Sequence, residues 1–488
     1  MQKINTVICI GNGTEEADIL AQDIALVKQL PYHGILDAGT EIEVGVYHTS
    51  IFDIKLQELR DMVSDNTEIV MLDQTEYDNP RDYHRTLDMG LGLEDRLLVE
   101  FQNPLARNPI RQMVDQNPSL CILPFISVYQ NENKVKGCGF MHDNRVTDQI
   151  IDIDTVKSKM LAGELVDECT YCYRLDDMNI ISPRKQRTID WAHRLNVKTL
   201  EELAEQTIVD YSIRLNNECN ALCRTCAPSQ SNLISREYFK LHLTPADVGN
   251  TELPDYSIID IHTAKRVYIS GGEPTIQSTT MDFLQRCIDE NCTDFEIVIN
   301  TNGAVVSDKF LKLARQFSLM TFEISIDGYG EVNRYIRWPI PWDKFANNIK
   351  SLYDVAQGRL SFNTTVSIYN ISNLYSIFEF LENTYPHSRY NAGILLEPYT
   401  QVPWNFADKN TALADLQKIR TLNTYKKYEV FKSQIDAIID TLAISEVDYN
   451  VLRKFFEFND RLDASRDVKL QDYIPELEAC RNLIPKQI

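Results

Sequence analysis

Three closely spaced cysteines constrain this chain more than any other feature. The segment ECNALCRTC places Cys219, Cys223 and Cys226 directly after residues 209–215, VDYSIRL, whose alternation of apolar and polar side chains predicts a β-strand. We therefore expect the cysteines on a loop at the carboxyl end of a strand, where barrel-type α/β folds carry their chemistry. Three thiolates can hold three irons of a [4Fe–4S] cluster and leave the fourth iron open, whereas four cysteines close every iron.

A glycine-rich turn follows the next predicted strand. Residues 266–274, RVYISGGEP, predict a strand that ends in Gly271, Gly272, Glu273 and Pro274. Two glycines allow the backbone to approach a ligand closely, and a carboxylate beside them can hold an ammonium group. The cysteine spacing alone is also compatible with a zinc site or with chance. The two motifs in succession favour an iron–sulfur site that also binds a small molecule.

The CxxxCxxC loop and the GGEP turn together resemble the radical S-adenosylmethionine (SAM) superfamily. The resemblance implies that the open iron chelates the amino and carboxylate groups of SAM and that the GGEP turn holds the amino group. It also implies that the reduced cluster donates an electron to the sulfonium of SAM. The resulting 5′-deoxyadenosyl radical then abstracts a hydrogen atom from the substrate. Thr225 departs from the pattern, because many members of the family carry an aromatic residue before the third cysteine.

Residues from about 205 to 402 are predicted to form the catalytic α/β barrel. Apolar runs bounded by loop residues predict strands at 209–215, 266–270, 296–300, 320–326, 361–368 and 392–396. Six strands with helical stretches between them predict a partial (β/α)6 barrel that is open at one side. The polar residues that end these strands should meet at one edge of the barrel.

Polar residues at these strand ends are further candidates for the site. They are Asn300, Asn302, Ser325, Asp327, Thr365 and Asn370. The resemblance implies that such groups surround SAM and the substrate, with Asp327 as a catalytic candidate. It also implies that Arg337 faces the carboxylate of SAM or the substrate. The alternatives are an ordinary Asp-Gly turn at Asp327 and a solvated or helix-paired arginine at Arg337.

Four more cysteines precede the barrel, in the segment from about 116 to 200. Cys121, Cys138, Cys169 and Cys172 follow the spacing C-x16-C-x30-C-x2-C, and the last pair has metal-ligand spacing. The segment resembles the twitch or SPASM auxiliary-cluster module, which implies a second [4Fe–4S] cluster. Its position before the barrel resembles the twitch domain-containing radical SAM proteins in particular. A zinc-ribbon-like site on the same four thiolates is the alternative, because both metals favour tetrahedral thiolate ligation.

The two remaining segments contain no ligand cluster. Residues 1–115 alternate predicted strands and helices, which is typical of a small Rossmann-like α/β domain. The turn at residues 11–14, GNGT, is either a phosphate cradle or an ordinary strand-to-helix turn. Residues 403–488 form a predicted helical region whose periodic apolar residues favour packing against the barrel.

Composition limits the partners of the chain. The net charge of −22 argues against bulk nucleic-acid binding and against anionic membranes. No apolar run comes close to the length of a membrane span, about 18 residues, and no signal-peptide pattern is present. We therefore expect a cytoplasmic protein with reduced thiols. The resemblance implies a peptide or protein substrate and an electron donor such as flavodoxin or ferredoxin. Two alternatives are a small-molecule substrate (a sugar, nucleoside or amino-acid derivative) and a non-catalytic iron–sulfur scaffold or electron carrier.

Overall fold

The computed structural model describes most of the chain from residue 113 onward and four strands before it. The described residues are 6–11, 35–37, 45–48, 67–72, 113–114, 116–131, 134–141, 152–177, 181–214, 216–249, 256–356, 360–386 and 388–485. Two compact units divide the chain: residues 1–120 with 185–203, and residues 121–184 with 204–488. Most of the predicted GNGT turn lies outside the described residues.

The first unit contains a parallel sheet. Its strands are β1 (Thr6–Gly11), β2 (Ile35–Asp37), β3 (Gly45–His48) and β4 (Thr67–Leu72). They lie in the order β2-β3-β1-β4, and every neighbouring pair is parallel. Parallel neighbours need crossover connections, as in α/β folds.

The second unit is built around an eight-stranded sheet and a two-stranded ribbon. The strands are β5 (Ser127–Asn131), β6 (Lys134–Lys136), β7 (Asp210–Arg214), β8 (Leu222–Cys223), β9 (Arg266–Ser270), β10 (Glu296–Thr301), β11 (Met320–Ser325), β12 (Arg337–Trp338), β13 (Leu360–Val366) and β14 (Arg389–Ile394). The sheet order is β14-β13-β11-β10-β9-β7-β5-β6, whereas β12 and β8 form the ribbon. Only β6 among the strands of this sheet is antiparallel to its neighbour. The predicted α/β class is confirmed, and the strand order is consistent with a partial barrel.

Helices connect these strands and continue to the carboxyl end. They are α1 (Leu123–Ile126), α2 (Ile153–Leu161), α3 (Thr170–Asp177), α4 (Pro183–Arg194), α5 (Leu200–Ala204), α6 (Asn232–Lys240), α7 (Ser278–Asp289), α8 (Asp308–Ala314), α9 (Glu331–Ile336), α10 (Trp342–Val355), α11 (Leu374–Thr384), α12 (Lys409–Ile419), α13 (Asn423–Lys427), α14 (Glu429–Ile444), α15 (Tyr449–Arg466) and α16 (Pro475–Ala479). Among the described residues, no helix is long and apolar enough to cross a membrane.

The core lies between one face of the sheet and the surrounding helices. Strand β10 buries Ile297 and Ile299 completely, and β11 buries Phe322 and Ile324 in the same way. These residues belong to the same buried cluster as the apolar face of α10, which includes Phe345. Burial of each such side chain stabilises the fold by about 1.5–3 kcal/mol. The residues between them in sequence point to the opposite face, because side chains alternate along a strand.

Two differences from the sequence predictions concern strands. The strand predicted at 392–396 is found at Arg389–Ile394, because Tyr390 and Ala392 are buried while Asn391 between them is exposed. The segment with four cysteines contributes β5, which pairs in parallel with β7 from Ser127↔Asp210 to Asn131↔Arg214. Local sequence does not identify a strand's partner, so this extension of the barrel sheet was not predicted.

Candidate active site

The three-cysteine loop lies between the carboxyl end of β7 and helix α6. Cys223 belongs to the short strand β8, which pairs in register with Arg337 of β12. The amide of Cys219 donates to Asn232 Oδ1 at 3.3 Å, and the amide of Cys226 donates to the carbonyl of Cys223 at 3.2 Å. The loop is therefore held by hydrogen bonds within the loop and to Asn232 at the start of α6.

The thiols of this loop are partly buried and lie close to one another. Burial, followed by the charge of neighbouring cysteines, raises the pKa of Cys219 and of Cys226 to about 12. Burial also raises the pKa of Cys223, whereas the Arg337 guanidinium lowers it. Three adjacent thiolates need a compensating positive charge, and a cationic iron cluster supplies one. The donor set therefore fits a cluster with three protein ligands.

The double glycine is required because the cysteine loop lies directly against it. Gly271 and Gly272 have φ angles of 92° and 51°, which L side chains rarely adopt. A Cβ atom on Gly272 would lie 2.0 Å from the carbonyl oxygen of Glu218, the residue before the first cysteine. The amide of Glu273 donates to the same carbonyl at 2.8 Å. The two sequence motifs are thus in direct contact.

The Glu273 carboxylate is buried and accepts four hydrogen bonds from the chain itself. Oε1 accepts from the Thr275 amide at 3.1 Å and from the hydroxyls of Thr275 and Thr301 at 2.6 Å each. Oε2 accepts from the Asn302 amide at 2.7 Å. Burial raises the pKa of this carboxyl, and the same donors lower it. Glu273 therefore ties the GGEP turn, in which Pro274 begins a short 3-10 helix, to the end of β10. Its predicted contact with an ammonium group stays a prediction.

Asn302 connects the end of β10 to the cysteine loop. Its Nδ2 donates to Asn220 Oδ1 at 2.7 Å and lies 3.8 Å from Cys219 Sγ. Asn300 and Ser325 lie nearby on β10 and β11, with 3.5 Å between Ser325 Oγ and Asn300 Oδ1. These three predicted residues are brought together at the same edge of the sheet as the cysteines.

Asp327 and Arg337 form a buried pair beside the second cysteine. Arg337 Nε lies 2.9 Å from Asp327 Oδ2, which makes the two an ion pair. The Nε–H group is not aligned for a hydrogen bond to this oxygen. Arg337 Nη1 lies 3.8 Å from Cys223 Sγ. The arginine therefore balances the carboxylate on one side and faces a thiol on the other. It is neither solvated nor paired to a helix residue.

Thr365 and Asn370 hold Asp327 in place. The Thr365 amide donates to Asp327 Oδ1 at 2.8 Å. Asn370 Nδ2 donates to the carbonyls of Asp327 and Thr365, and its Oδ1 accepts from the Ser367 amide. Both oxygens of the Asp327 side chain thus contact groups of the chain, and its predicted catalytic role stays a prediction.

A buried network that sequence reasoning missed lies on the other side of the loop. Arg224, between the second and third cysteines, is completely buried and donates to Asn459 Oδ1 at 2.9 Å and to Asp463 Oδ1 at 2.6 Å. Its guanidinium stacks on the Tyr335 ring at 3.6 Å. The only local signal is a basic residue between the second and third cysteines. Nothing in the sequence identifies its partners on α15.

The other four cysteines line one pocket. Cys121, Cys138, Cys169 and Cys172 surround about 350 Å³ of empty space that includes the pocket mouth. Burial and then the charge of Cys138 raise the pKa of Cys169 and of Cys172 to about 12. Arg184, which also lines the pocket, pairs with Asp176 at 2.7 Å. Cys121 precedes α1, Cys138 follows β6, and the other two cysteines lie directly before α3 and within its start. The convergence of these four thiols on one pocket fits a thiolate-bound metal group.

No group of three or more His, Cys, Asp or Glu side chains within the described ranges is placed to hold a single metal ion. Neither cysteine set is therefore arranged around a single metal ion.

The central part of the chain matches a known family. Residues 213–381 match the Radical SAM superfamily. The chain is also similar to a protein described as Probable GTP 3′,8-cyclase from Methanocaldococcus jannaschii. The two are 26% identical over 169 residues, which cover 34% of this chain and 53% of that relative. The chain thus spans about half the length of the curated relative it matches. These matches support a SAM-dependent enzyme without identifying its substrate, and the family implies a [4Fe–4S] cluster and SAM.

The solved structures that match this chain have low TM-scores and low sequence identity. Native anSMEcpe with bound AdoMet is similar with a TM-score of 0.34 and 13% identity, covering 43% of this chain and 60% of that chain. SuiB from Streptococcus suis bound to S-adenosylmethionine has a TM-score of 0.30 and 12% identity, covering 71% of this chain and 66% of that chain.

Proposed function

We propose that this chain cleaves SAM reductively at a cluster held by Cys219, Cys223 and Cys226 and modifies a peptide or protein substrate. Support comes above all from one observation: the Glu273 amide donates to the Glu218 carbonyl, so the GGEP turn and the cysteine loop are in direct contact. When bound, the cluster and SAM supply a 5′-deoxyadenosyl radical that abstracts hydrogen from the substrate.

The chain's own residues bind and orient the reactants in this proposal. The three thiolates hold the cluster, and the Arg337 guanidinium near Cys223 Sγ stabilises their negative charge. Glu273 fixes the turn after β9 against the turn after β10 through its four hydrogen bonds. These hydrogen bonds fix the relative position of the two turns, which lowers the cost of orienting the reactants.

We further propose an auxiliary cluster at Cys121, Cys138, Cys169 and Cys172. The four thiols line one pocket, and thiolate ligands select iron–sulfur clusters or zinc. The likeness of this segment to the twitch or SPASM module favours iron. The same likeness favours a peptide or protein substrate, because relatives with such modules often modify peptides.

A small-molecule substrate is the second candidate. The observation in its favour is the match to the archaeal protein named as a probable GTP 3′,8-cyclase, a name that describes chemistry on a nucleotide. GTP itself is therefore the first small molecule to supply to the reconstituted protein.

The experiment is an anaerobic assay of the reconstituted protein with SAM and dithionite. We expect release of 5′-deoxyadenosine, measured by liquid chromatography and mass spectrometry. Synthetic peptides encoded by short reading frames beside the gene should increase this release and lose hydrogen, whereas GTP should remain unchanged. Conversion of GTP would favour the second candidate. A protein with an intact cluster that releases no 5′-deoxyadenosine would be a scaffold or electron carrier and would contradict the proposed function.

A further inference from the structure

The face of the barrel sheet opposite the helices carries polar residues where a packed barrel has apolar layers. Tyr268, Asn300, Glu323 and Asn363, which we call the interior polar cluster, lie on β9, β10, β11 and β13, four neighbouring strands. Each is only partly buried, although the residues before and after Tyr268 and Glu323 in sequence are buried in the helix-facing core. Barrel interiors are normally filled by bulky branched side chains, so a polar layer here needs an explanation.

The donors of this cluster converge on one oxygen. Tyr268 Oη donates to Glu323 Oε2 at 2.9 Å, and Asn363 Nδ2 donates to the same oxygen at 3.0 Å. Asn300 Nδ2 in turn donates to Tyr268 Oη at 3.0 Å. The glutamate thereby orients the Tyr268 hydroxyl and the Asn363 amide directly, and the Asn300 amide through Tyr268.

Two acceptors of the cluster are left over. Asn363 Oδ1 is buried and has no hydrogen-bond partner, and Glu323 Oε1 accepts no hydrogen bond from any residue that the structure describes. Buried polar atoms in native proteins are nearly always satisfied, so the buried Asn363 Oδ1 calls for a partner. Both acceptors belong to neighbouring strands, β11 and β13.

Glu323 differs from two other carboxylates on or next to this face, which pair with arginines. Asp210 pairs with Arg266 at 2.9 Å, and Asp327 just beyond β11 pairs with Arg337 at 2.9 Å. Among the described ion pairs, by contrast, none includes Glu323. A carboxylate on this face that lacks a cation of its own, beside an orphan amide oxygen, is complementary to a positively charged donor.

The cluster lies below the strand ends at which the cysteine loop is found. Ser325 follows Glu323 by two residues on the same face and contacts Asn300 at 3.5 Å. Two residues along a strand correspond to about 7 Å, so Glu323 lies roughly that far below the strand ends that carry the cysteine loop. A group held at Glu323 would place the atoms above it near the cysteine edge.

We propose that Glu323 and Asn363 form the floor of the substrate site and recognise the ammonium or guanidinium group of a basic amino-acid side chain. This inference rests on the proposed function and specifies its substrate class. An ammonium carries three donors and a guanidinium five, so either group can satisfy Glu323 Oε1 and Asn363 Oδ1 together. A neutral apolar side chain would leave both acceptors unsatisfied.

Binding without turnover tests this inference directly. The reconstituted, unreduced holoprotein with SAM is titrated calorimetrically with blocked tripeptides, acetyl-Ala-Xaa-Ala-amide, in which Xaa is lysine, arginine or norleucine. We expect the lysine or the arginine peptide to bind at least about tenfold more tightly than the norleucine peptide, because charge-assisted hydrogen bonds are the strong ones. Glu323→Gln, which preserves shape, should remove this preference, and Asn363→Leu should weaken it.

Glu331→Gln is the matched control, because Glu331 is exposed and pairs only with Arg334 three residues away. Equal binding of all three peptides, binding of none, or an unchanged preference in Glu323→Gln would overturn the inference. The wild-type comparison needs no variant to fold. Release of 5′-deoxyadenosine by the same preparation is measured in parallel, so that failure of this inference with SAM cleavage intact is distinct from failure of the proposed function.

Discussion

Arg224 and Asp463 form a buried ion pair of 2.6 Å between the cysteine loop and helix α15. The arginine lies between two of the three proposed cluster ligands, and the aspartate is 239 residues away in sequence. Asn459 and Tyr335 complete the network through further hydrogen bonds and ring stacking. Helix α15 is therefore part of the support of the active-site loop.

Removal of the aspartate should destabilise the protein strongly. Asp463→Ala leaves the Arg224 guanidinium buried without its counter-charge, which typically costs about 3–5 kcal/mol. We expect a lower unfolding midpoint in denaturant and lower iron content after reconstitution. Asp460→Asn on the same helix is the control, because Asp460 is largely exposed and pairs with Arg481 at the surface. Equal stability of the two variants would show that the buried pair does not support the loop.

Loss of the middle cysteine should abolish SAM cleavage. In Cys223→Ala the cluster keeps only two protein ligands and becomes labile, so 5′-deoxyadenosine release should fall to background. Cys292→Ala is the matched control, because Cys292 is partly exposed and contacts His262 at 3.3 Å instead of the loop. Retained SAM cleavage by Cys223→Ala, measured with dithionite as reductant, would contradict the assignment of this residue as a ligand.

Much of the barrel and of the site was predictable because its signals are local. Strands β9, β10 and β11 were predicted within two residues of their observed ends, since each is a short, mainly apolar run bounded by loop residues. The sequence predicted that the CxxxCxxC loop and the GGEP turn serve the same site, but it did not predict that they are in contact. Its geometry depends on Gly272 and Glu218, which approach through the fold.

Long-range pairs could not be predicted in the same way. The partners of Arg224 lie on α15, and β5 joins the barrel sheet beside β7, because tertiary packing decides both pairings. Glu323 does have a local signal in the sequence, because it is the single carboxylate within the strand segment TFEIS.

Loss of one cysteine from the four-cysteine pocket should distinguish the contributions of the two proposed clusters to iron content and SAM cleavage. Cys169→Ala should lower the iron content by about four per chain, the size of one [4Fe–4S] cluster, and leave some SAM cleavage. Iron and zinc are measured together by inductively coupled plasma mass spectrometry. Unchanged iron with loss of zinc would identify the zinc alternative, and no metal change would show that these thiols bind none.

A buried aspartate remote from both cysteine sets should make stability depend on pH. Burial raises the pKa of Asp415 in α12 to about 6, while its hydrogen bond from the Tyr375 amide lowers it. The folded state therefore binds the proton of the Asp415 carboxyl more tightly than the unfolded state does. The stability that this bound proton contributes is lost as the pH rises from about 4 to about 6. Asp415→Asn should be about 1–3 kcal/mol more stable than wild type at pH 7.5 and gain less at pH 5. Asp440→Asn, at an exposed position of α14, should leave unfolding in urea unchanged at both values.

Addition of one methyl group at Gly272 should displace the cysteine loop. Ala at this position would place Cβ 2.0 Å from the backbone of Glu218, and backbone atoms cannot rotate away as a flexible side chain does. Gly249→Ala is a close control: Gly249 also has a positive φ, of 70°, but a Cβ there has nothing within 4 Å. Both variants share the cost of the left-handed backbone, so their difference isolates the contact between the two motifs. We expect Gly272→Ala to lose most of its SAM-dependent change in the electron paramagnetic resonance spectrum of the reduced cluster, and Gly249→Ala to keep it. Equal spectra for the two variants would mean that the approach of Gly272 to Glu218 does not shape the SAM site.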